Sequence, residues 1–465
     1  MNNDPVEPFD ALIIGVGQSG KPLATALAKK GWRTAIIERN QVGGSCINYG
    51  CTPTKTLLSS AEMAFQARRA AEFGIDIADI GVDFKAVIER KDKVVQKFRD
   101  GINDSFAETE NLTFIQGEAR FTAPREIAVK LPAGGQRNLT ANYIFIDCGT
   151  HPKKPDLPGL DTVSWVTSTE LMDATELPEH LLILGGGYIG VEFSQMFRRF
   201  GSEVTIIERG DQLLSREDKD IADELTKILE DEGVRVMTNT SVEQVSRSGD
   251  NGVTLALKTD KGPVLLTGTK LLVVTGTTPN TAALNLTAAG ITTDEHGFIQ
   301  VNDKLETSQP GVYALGDIKG GPAFTHISYD DYRVVKKNLL EGGDASIVGR
   351  PVPYTIFTDP QLGRVGLSET EARQQGKSIK VASMPMSSVA RAIETNRTGG
   401  LMKVIIDADT DQILGAAILG MEGGEVMTML QIAMMGNVTY PRLRDAVFAH
   451  PTLAEALNNV FSRVE

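Results

Sequence analysis

The chain has 465 residues, of which 41% are hydrophobic and 23% charged, the composition of an ordinary globular protein. Its 47 basic and 60 acidic residues give a net charge of −13, which argues against a nucleic-acid partner. The apolar runs are too short for a membrane span, Met1 to Phe9 is unlike a signal peptide, and three cysteines form no secreted disulfide framework. A cytoplasmic protein of several domains is therefore expected.

The first predicted element is a short apolar strand that ends in a glycine-rich turn. Strand 11–14 leads into the turn 15–20, with the sequence GVGQSG, and a helix follows. A second strand, 34–37, ends at Glu38. This strand–turn–helix–strand order is typical of a dinucleotide-binding unit.

The same pattern occurs a second time further along the chain. Strand 181–184 leads into the turn 185–190, GGGYIG, and strand 204–207 ends at Glu208. The spacing from first glycine to acidic residue is 23 in both copies (15 to 38 and 185 to 208). A lone glycine turn is weak evidence, but two matched copies favour two bound dinucleotides.

Each position in such a turn has its own physical role. The first glycine permits the bend, the second lets the backbone approach a pyrophosphate, and the third lets the helix pack on the strand. The helix N-terminus favours phosphate, and the acidic residue accepts hydrogen bonds from a ribose. These roles fall on Gly15, Gly17, Gly20 and Glu38 in the first copy, and on Gly185, Gly187, Gly190 and Glu208 in the second.

Two cysteines follow the first unit, in the segment 43–55 with the sequence GGSCINYGCTPTK. Five residues of regular helix rise ~7.5 Å, beyond the ~6.8 Å limit for bridged Cα atoms, so a Cys46–Cys51 bridge needs a distorted turn. Gly50 permits that turn, and strained bridges are the reducible ones. Pro53 suits the first turn of a helix, which predicts Cys51 at a helix N-terminus, where a thiolate is stabilised.

Two structural cysteines or a metal pair are the competing interpretations of this segment. Zinc pairs are usually spaced by two to four residues and come with a second pair, which this chain does not have. A redox-active pair is therefore favoured. Cys148, in the mostly apolar stretch 143–148, is expected to be a buried strand residue.

The remaining pattern predicts linkers and a third region. The linkers are 152–160 and 351–360, the strands 401–407 and 412–419, and the helices 424–436 and one that begins near Pro451.

The segment 43–55 resembles the active-site signature of the class I FAD-dependent pyridine nucleotide–disulfide oxidoreductases. Gly149-Thr150 and the stretch 314–317 (ALGD) are similar to FAD motifs of that family, and His450-Pro451-Thr452 with Glu455 to its C-terminal catalytic motif. The resemblance implies an α/β fold: two Rossmann-like domains, for FAD and NAD, and a C-terminal α+β dimerisation domain. The implied boundaries are 1–151 and 281–350 for FAD, 152–280 for NAD(P), and 351–465 for the interface.

The resemblance also implies roles at the flavin. Cys51 would lie against the flavin and form the charge-transfer complex after reduction, Cys46 would meet the substrate, and Lys55, paired with Glu192, would stabilise reduced flavin. Tyr188 would cover the flavin until nicotinamide displaces it. FAD would bind the first glycine turn, Glu38, Gly44, Lys55, Thr150 and Asp317, and the nicotinamide dinucleotide the second turn, Tyr188, Glu208 and Gly276.

By the same resemblance His450, held by Glu455, is the acid–base residue that one subunit supplies to the other subunit's cysteine site. A histidine can accept the Cys46 proton, and a carboxylate fixes its tautomer. The active enzyme would then be a homodimer. Glu208 favours the free ribose hydroxyl of NADH over the phosphate of NADPH, although Arg209 beside it weakens that preference.

Four further stretches bear on the identity of the electron acceptor. The stretches 20–24, 185–193, 216–223 and 324–333 resemble the bacterial reactive-chlorine-resistance flavoproteins, within a group that includes the mercuric reductases. That resemblance implies copper(II) reduction, with transient copper at Cys46, Cys51 and His450, since copper suits thiolate and imidazole. Lipoamide or another small disulfide is an alternative acceptor. A flavin-bearing redox sensor without turnover is a second alternative.

Overall fold

The computed structural model describes residues 6–249 and 252–464. Twenty-two strands lie within the described residues. They are β1 (Val6–Ile14), β2 (Thr34–Glu38), β3 (Leu112–Gln116), β4 (Glu118–Ala123), β5 (Glu126–Lys130), β6 (Gln136–Ile146), β7 (Thr150–Pro152), β8 (Trp165–Val166), β9 (His180–Leu184), β10 (Glu203–Ile207), β11 (Val234–Met237), β12 (Ser241–Ser248), β13 (Gly252–Thr259), β14 (Gly262–Gly268), β15 (Lys270–Val273), β16 (Thr277–Pro279), β17 (Val312–Ala314), β18 (Tyr354–Ile356), β19 (Gln361–Gly366), β20 (Ile379–Pro385), β21 (Leu401–Asp407) and β22 (Ile413–Gly420).

The helices vary from five residues to 24. They are α1 (Gly20–Lys29), α2 (Gly44–Asn48), α3 (Cys51–Arg68), α4 (Phe84–Ala107), α5 (Ser168–Met172), α6 (Tyr188–Phe200), α7 (Lys219–Asp231), α8 (Thr325–Leu340), α9 (Glu369–Gln374), α10 (Ala390–Glu394), α11 (Gly423–Met435), α12 (Tyr440–Arg444) and α13 (Ala456–Phe461). None of the helices in the described part of the chain combines the length and apolarity that crossing a membrane requires.

The chain divides into two compact units. The first consists of Met1–Thr56, Ile88–Lys153 and Gly276–Arg350, and the second of Leu57–Val87, Lys154–Thr275 and Pro351–Glu465. Each unit contains one of the two glycine turns, at 15–20 and 185–190.

The first unit is built on a sheet of order β3-β2-β1-β6-β5-β4, with β17 also paired to β6. Strands β3, β2, β1, β6 and β17 run parallel, while β4 and β5 are antiparallel. The inner strands are apolar because both of their faces are covered, as in other parallel sheets. Fully buried Ile13 and Ile36 belong to the core on the side of α1, and Leu12 and Ile37 to the core on the other side.

The second unit contains three sheets. A parallel sheet of order β11-β10-β9-β15-β8 carries the second glycine turn at the end of β9. An antiparallel ribbon, β12-β13-β14, accompanies it. The third sheet, β18-β19-β22-β21-β20, is antiparallel, and α11 and α13 contribute to its apolar core.

The α/β fold class is confirmed, and the strands that flank both glycine turns lie within a few residues of prediction. Three local expectations are wrong. The last helix begins at Ala456, because residues 451–455 form turns. The expected linker 351–360 contains strand β18, which pairs with β19. Cys148 lies two residues beyond the end of β6 and is half-buried.

Candidate active site

The turn between β1 and α1 leaves no room for side chains at its first and third glycines. Gly15 has a φ of +104°, and a Cβ there would lie 2.3 Å from the carbonyl oxygen of Asp147. A Cβ on Gly20 would lie 2.6 Å from the Gly15 carbonyl oxygen. The bend and the close packing of α1 against the turn therefore require glycine at both positions.

A buried carboxylate lies beneath this turn. Asp147 follows β6 and accepts hydrogen bonds from the Ser19 hydroxyl at 2.7 Å and from the Gly20 N–H at 2.6 Å. Burial raises the pKa of Asp147, the two hydrogen bonds oppose this shift, and the nearby carboxylates of Asp317 and Asp331 add to it, so that the pKa is about 7. The first glycine turn is therefore held by a carboxyl group that changes charge near neutral pH.

Glu38 is held at the end of β2, beside the same turn. Its Oε2 accepts a hydrogen bond from Val16 N–H at 3.0 Å, and its Oε1 accepts one from Asn40 N–H at 2.8 Å. A carboxylate oxygen has more than one lone pair, so both oxygens retain capacity for a ribose hydroxyl.

Other predicted flavin-binding positions lie in the same unit. A Cβ on Gly44 would lie 2.8 Å from the Gly17 Cα, so the cysteine segment packs directly on the glycine turn. Asp317 follows β17, and burial raises its pKa. Thr150 begins β7.

The second glycine turn repeats this construction between β9 and α6. A Cβ on Gly190 would lie 2.1 Å from the Gly185 carbonyl oxygen, whereas one on Gly187 would meet no atom within 4 Å. Glu208 accepts hydrogen bonds from Gly186 N–H and Gly210 N–H, both at 2.7 Å. Gly187 therefore offers open backbone where a pyrophosphate would approach, and Glu208 is held at the ribose position.

Tyr188 and Gly276, which the sequence also assigned to the nicotinamide site, belong to different units. Tyr188 is the first residue of α6 and is 45% exposed. Gly276, in the first unit, has a φ of +121°, a conformation that favours glycine. Their contacts with a nicotinamide dinucleotide stay a prediction.

The two cysteines lie on consecutive helices, with a break between them. Helix α2 carries Cys46 and ends at Asn48, and α3 begins at Cys51. The two thiols hydrogen-bond to each other, and the Thr325 hydroxyl lies 3.3 Å from the Cys51 sulfur. The chain is therefore not a continuous helix between the two cysteines, and a Cys46–Cys51 bridge requires such a break.

The Cys46 thiol keeps its proton more strongly than an ordinary cysteine. Its hydrogen bond with Cys51 is the largest cause, and burial and the charge of an ionised Cys51 add to it, so all three raise the pKa of Cys46. Hydrogen bonds with Thr325 and with the Cys51 backbone oppose this shift. The pair therefore resists carrying two thiolates at once.

The predicted acid–base pair is formed in the second unit. His450 Nδ1 lies 2.8 Å and 3.0 Å from the two carboxylate oxygens of Glu455. The His450 side chain is 67% exposed. Because Glu455 engages Nδ1, the Nε2 atom is the one that remains available to another group.

The two members of the other predicted ion pair, Lys55 and Glu192, belong to different units. Glu192 is buried on α6, and its Oε1 accepts a hydrogen bond from Phe357 N–H at 2.8 Å. Lys55 lies in the first turns of α3. Their pairing stays a prediction.

Sequence reasoning missed Asp147 and Thr325. Asp147 is an acidic residue inside the otherwise apolar run from Tyr143 to Cys148, and such a residue could have been marked as one that needs buried partners. Thr325 is far from the cysteines in sequence, and only the fold brings it to them. Within residues 6–249 and 252–464, no cluster of three or more His, Cys, Asp or Glu side chains is arranged to hold a metal ion.

The chain matches one protein family along most of its length. The family model described as pyridine nucleotide-disulphide oxidoreductase matches residues 9–331, and the dimerisation domain of the same family matches residues 352–461. The chain belongs to the pyridine nucleotide-disulphide oxidoreductases. The family resemblance inferred from the cysteine segment is confirmed.

The relatives agree with this assignment. The probable pyridine nucleotide-disulfide oxidoreductase RclA of Escherichia coli is 40% identical over 461 residues, which are 98% of this chain and 99% of that protein. Mercuric reductase of Lysinibacillus sphaericus is 32% identical over 97% of this chain and 81% of its own length. Dihydrolipoyl dehydrogenase of Thermus scotoductus is 35% identical over 97% of this chain and 96% of its own length.

A solved structure supports the same fold. The Cu(II) complex of the HOCl-induced flavoprotein disulfide reductase RclA from Escherichia coli superposes with a TM-score of 0.90 and 39% identity, covering 99% of this chain and 100% of that chain. The chain is thus a flavoprotein disulfide oxidoreductase, a family that uses FAD and a nicotinamide dinucleotide. Its matched dimerisation domain supports a homodimer.

The residues of the first unit fit FAD. Glu38 is fixed by the Val16 N–H of the glycine turn, and the cysteine segment packs on Gly17 of the same turn. The open backbone at Gly187 and the fixed Glu208 fit the nicotinamide dinucleotide.

Proposed function

We propose that this enzyme passes electrons from NADH to the Cys46–Cys51 pair and from that pair to copper(II). The contact between the two thiols, with Thr325 against them, is the observation that carries the proposal. FAD, when bound, supplies the two-electron link between the nicotinamide and the sulfur atoms. The copper assignment rests on the copper complex of the 39% identical RclA.

The chain's own residues divide the work at the cysteine pair. Cys51, at the N-terminus of α3, is the thiol that carries negative charge, because the helix dipole stabilises a thiolate there. Cys46 keeps its proton and is the thiol that meets the acceptor. Closing the Cys46–Cys51 bond from one thiolate and one thiol releases two electrons and one proton, and the electrons convert two Cu(II) ions to Cu(I).

His450 takes the proton that leaves Cys46. Glu455 holds Nδ1, which leaves Nε2 to act as the base. In the homodimer that the family arrangement implies, this histidine comes from the partner subunit. We expect the Glu455→Gln substitution to slow the step in which His450 removes the proton from Cys46. Reduction of the cofactor by NADH does not depend on His450 and should be unaffected.

Glu208 carries the preference for NADH. A carboxylate at the ribose position accepts hydrogen bonds from a free 2′-hydroxyl and repels a 2′-phosphate. The Glu208→Gln substitution therefore lowers the ratio of kcat/KM for NADH to kcat/KM for NADPH.

The cysteine pair must return to its reduced dithiol form after each turnover, which also suits the cytoplasm.

Anaerobic titration with NADH tests the electron path. The reduced enzyme is expected to show a long-wavelength absorbance band that Cys51→Ser abolishes while FAD stays bound. Cys148→Ser, the matched control at the third cysteine, keeps the band. If Cys51→Ser and Cys148→Ser behave alike, the cysteine pair is not the carrier.

The acceptor is tested on the same protein. Copper(II)-stimulated NADH oxidation that Cys46→Ser removes, with little turnover of dihydrolipoamide, supports the copper assignment. The reverse result assigns the enzyme to small disulfides, in line with its dihydrolipoyl dehydrogenase relatives. Cofactor reduction by NADH with no turnover of any acceptor indicates a redox sensor.

A further inference from the structure

Loop 209–216 of the second unit packs against the second glycine turn. It begins directly after Glu208, the carboxylate at the ribose position, and leads to two acidic residues that precede α7. Within the loop, Leu214 N–H donates a hydrogen bond to the Gly186 carbonyl at 2.9 Å. Because Glu208 accepts a hydrogen bond from the N–H of the same glycine, both backbone groups of Gly186 are bound by this segment.

The loop contains a residue in an unfavourable backbone conformation. Leu214 has a φ of +49°, in the left-handed region, and its side chain is buried. A residue with a side chain persists in that region only where the surrounding structure fixes it. Leu213 beside it is also buried, and a Cβ on Gly186 would lie 2.5 Å from the Leu213 Cδ2 atom. The position of the loop against the turn therefore depends on what holds its far end.

Asp218, just beyond the loop, is bound by the dimerisation region, residues 352–461. Its carboxylate accepts hydrogen bonds from the N–H groups of Glu369 and Thr370, at 2.9 Å and 3.0 Å, and from the Thr370 hydroxyl at 2.7 Å. The Lys403 Nζ atom lies 3.2 Å from the same carboxylate. Helix α9 and strand β21 of the dimerisation region therefore both hold Asp218.

Glu217 makes a second set of contacts with the same region. The Tyr354 hydroxyl of β18 donates to its Oε1 atom, and Arg364 Nη1 of β19 donates to its Oε2 atom at 3.3 Å. The side chains of Glu217 and Arg364 are both buried. Because separation of a buried ion pair leaves each charge uncompensated, this contact allows the end of the loop little freedom.

Asp218 is the more firmly charged of the two acids. Burial raises its pKa, but the hydrogen bonds from Thr370 and Glu369 and the charge of Lys403 outweigh burial, so that the pKa is about 2. Burial raises the pKa of Glu217 above its ordinary value despite the two partners of that residue. Asp218 is therefore a carboxylate at any working pH, and its substitution is the sharper test.

We propose that Asp218, together with Glu217, is a positioning residue for the nicotinamide dinucleotide. The two acids fix the far end of loop 209–216, and the loop in turn keeps Leu214 against Gly186 and preserves the shape of the glycine turn. The affinity for NADH then depends on residues of the dimerisation region. This inference rests on the proposed place of the dinucleotide at the second glycine turn.

Stopped-flow reduction of the FAD-loaded homodimer by NADH tests the proposal. The dependence of the flavin reduction rate on NADH concentration gives an apparent Kd and a limiting rate. Asp218→Asn is expected to raise the apparent Kd about tenfold, the effect of weakening hydrogen bonds to a charged group. The limiting rate and the bound FAD should stay unchanged, because the substitution acts on the position of the turn. An unchanged apparent Kd refutes the proposal.

Asp220→Asn is the matched control. Asp220 also pairs with Lys403, at 2.9 Å, but it lies within α7, beyond the residues that hold the loop. Its apparent Kd should equal that of the native enzyme. A rise as large as that of Asp218→Asn would mean that the charge near Lys403 sets the affinity, and the positioning role would be refuted.

Thr370 offers a test at an exposed residue of the dimerisation region. Thr370→Val removes the hydroxyl that donates to Asp218 and is expected to raise the apparent Kd for NADH about fivefold. Thr370→Ser retains a hydroxyl and should restore the native value. Equal affinities for Thr370→Val and Thr370→Ser would overturn the proposal, even if Asp218→Asn does not fold.

Glu208→Gln separates this inference from the proposed function. If the affinity for NADH falls in Glu208→Gln but in neither Asp218→Asn nor Thr370→Val, the dinucleotide lies at the turn and the positioning role alone is refuted. If Glu208→Gln leaves the affinity unchanged, the proposed place of the dinucleotide is refuted, and the positioning role with it.

Discussion

The Asp147→Asn enzyme should lose a large pH dependence of stability that the native enzyme has. Asp147 is buried, and its pKa rises from 3.8 to about 7 on folding. The folded protein therefore keeps a proton that the unfolded chain releases, so stability falls as pH rises from about 4 to 7 and does not fall further above that range. Each pH unit in this window costs about 1.4 kcal/mol, and the full window about 4 kcal/mol.

Asparagine suits this site because it fits both hydrogen bonds. Its side-chain oxygen accepts from Gly20 N–H, and its amide group donates to the Ser19 hydroxyl, which can serve as donor or acceptor. The substitution therefore removes the titration and retains the contacts. Asp260→Asn, at an exposed acidic residue, is the control.

Urea unfolding of the FAD-loaded enzyme between pH 5 and pH 8, followed by flavin fluorescence, measures the effect in the unit that contains Asp147. As pH rises from 5 to 8, the unfolding free energy of the native enzyme is expected to fall by about 3 kcal/mol relative to that of Asp147→Asn. Almost all of this fall should occur below pH 7. Stability curves that run parallel for the native enzyme and Asp147→Asn would refute the buried, proton-binding state of this carboxyl group.

Two further predictions concern the cysteine pair and the second glycine turn. Thr325→Val removes a hydroxyl that lowers the pKa of Cys46, so iodoacetamide should alkylate Cys46 more slowly at a given pH, and Thr325→Ser should restore the rate. Gly190→Ala places a Cβ 2.1 Å from the Gly185 carbonyl oxygen, so the purified enzyme should stay yellow while NADH no longer reduces it. An unchanged NADH titration for Gly190→Ala would show that the turn tolerates a side chain.

The sequence predicted the repeated elements well because their rules are local. Glycine spacing, apolar strands and the proline near Cys51 each act over a few residues, and the structure places α3 at Cys51 accordingly. The contacts of Thr325 and Asp147 depend on residues more than one hundred positions away, which no local pattern encodes. The late start of α13 at Ala456 has a local cause, since turns occupy 451–455 and the Thr452 hydroxyl accepts from Glu455 N–H.

The two glycine turns have the same backbone but different chemistry beneath them. Asp147 N–H donates to the Ile14 carbonyl, and Val274 N–H donates in the same way to the Leu184 carbonyl. A Cβ on the first glycine of each turn would meet the carbonyl oxygen of Asp147 or of Val274. Asp147 and Val274 therefore occupy equivalent positions.

The turns themselves also differ in polarity, since Ser19 of the first turn corresponds to Ile189 of the second. The first unit thus pairs a hydroxyl with a carboxylate where the second has two aliphatic residues. Because a buried polar group without its partner costs about 1–3 kcal/mol, we expect Ser19→Ile and Asp147→Val each to destabilise FAD binding. The loss of FAD-binding free energy in the double variant should be smaller than the sum of the two single losses, by about 1 kcal/mol or more, because the effects of residues in contact are not additive. FAD affinities of the four proteins, measured by flavin fluorescence, give this coupling, and simple additivity would mean that the two side chains act independently.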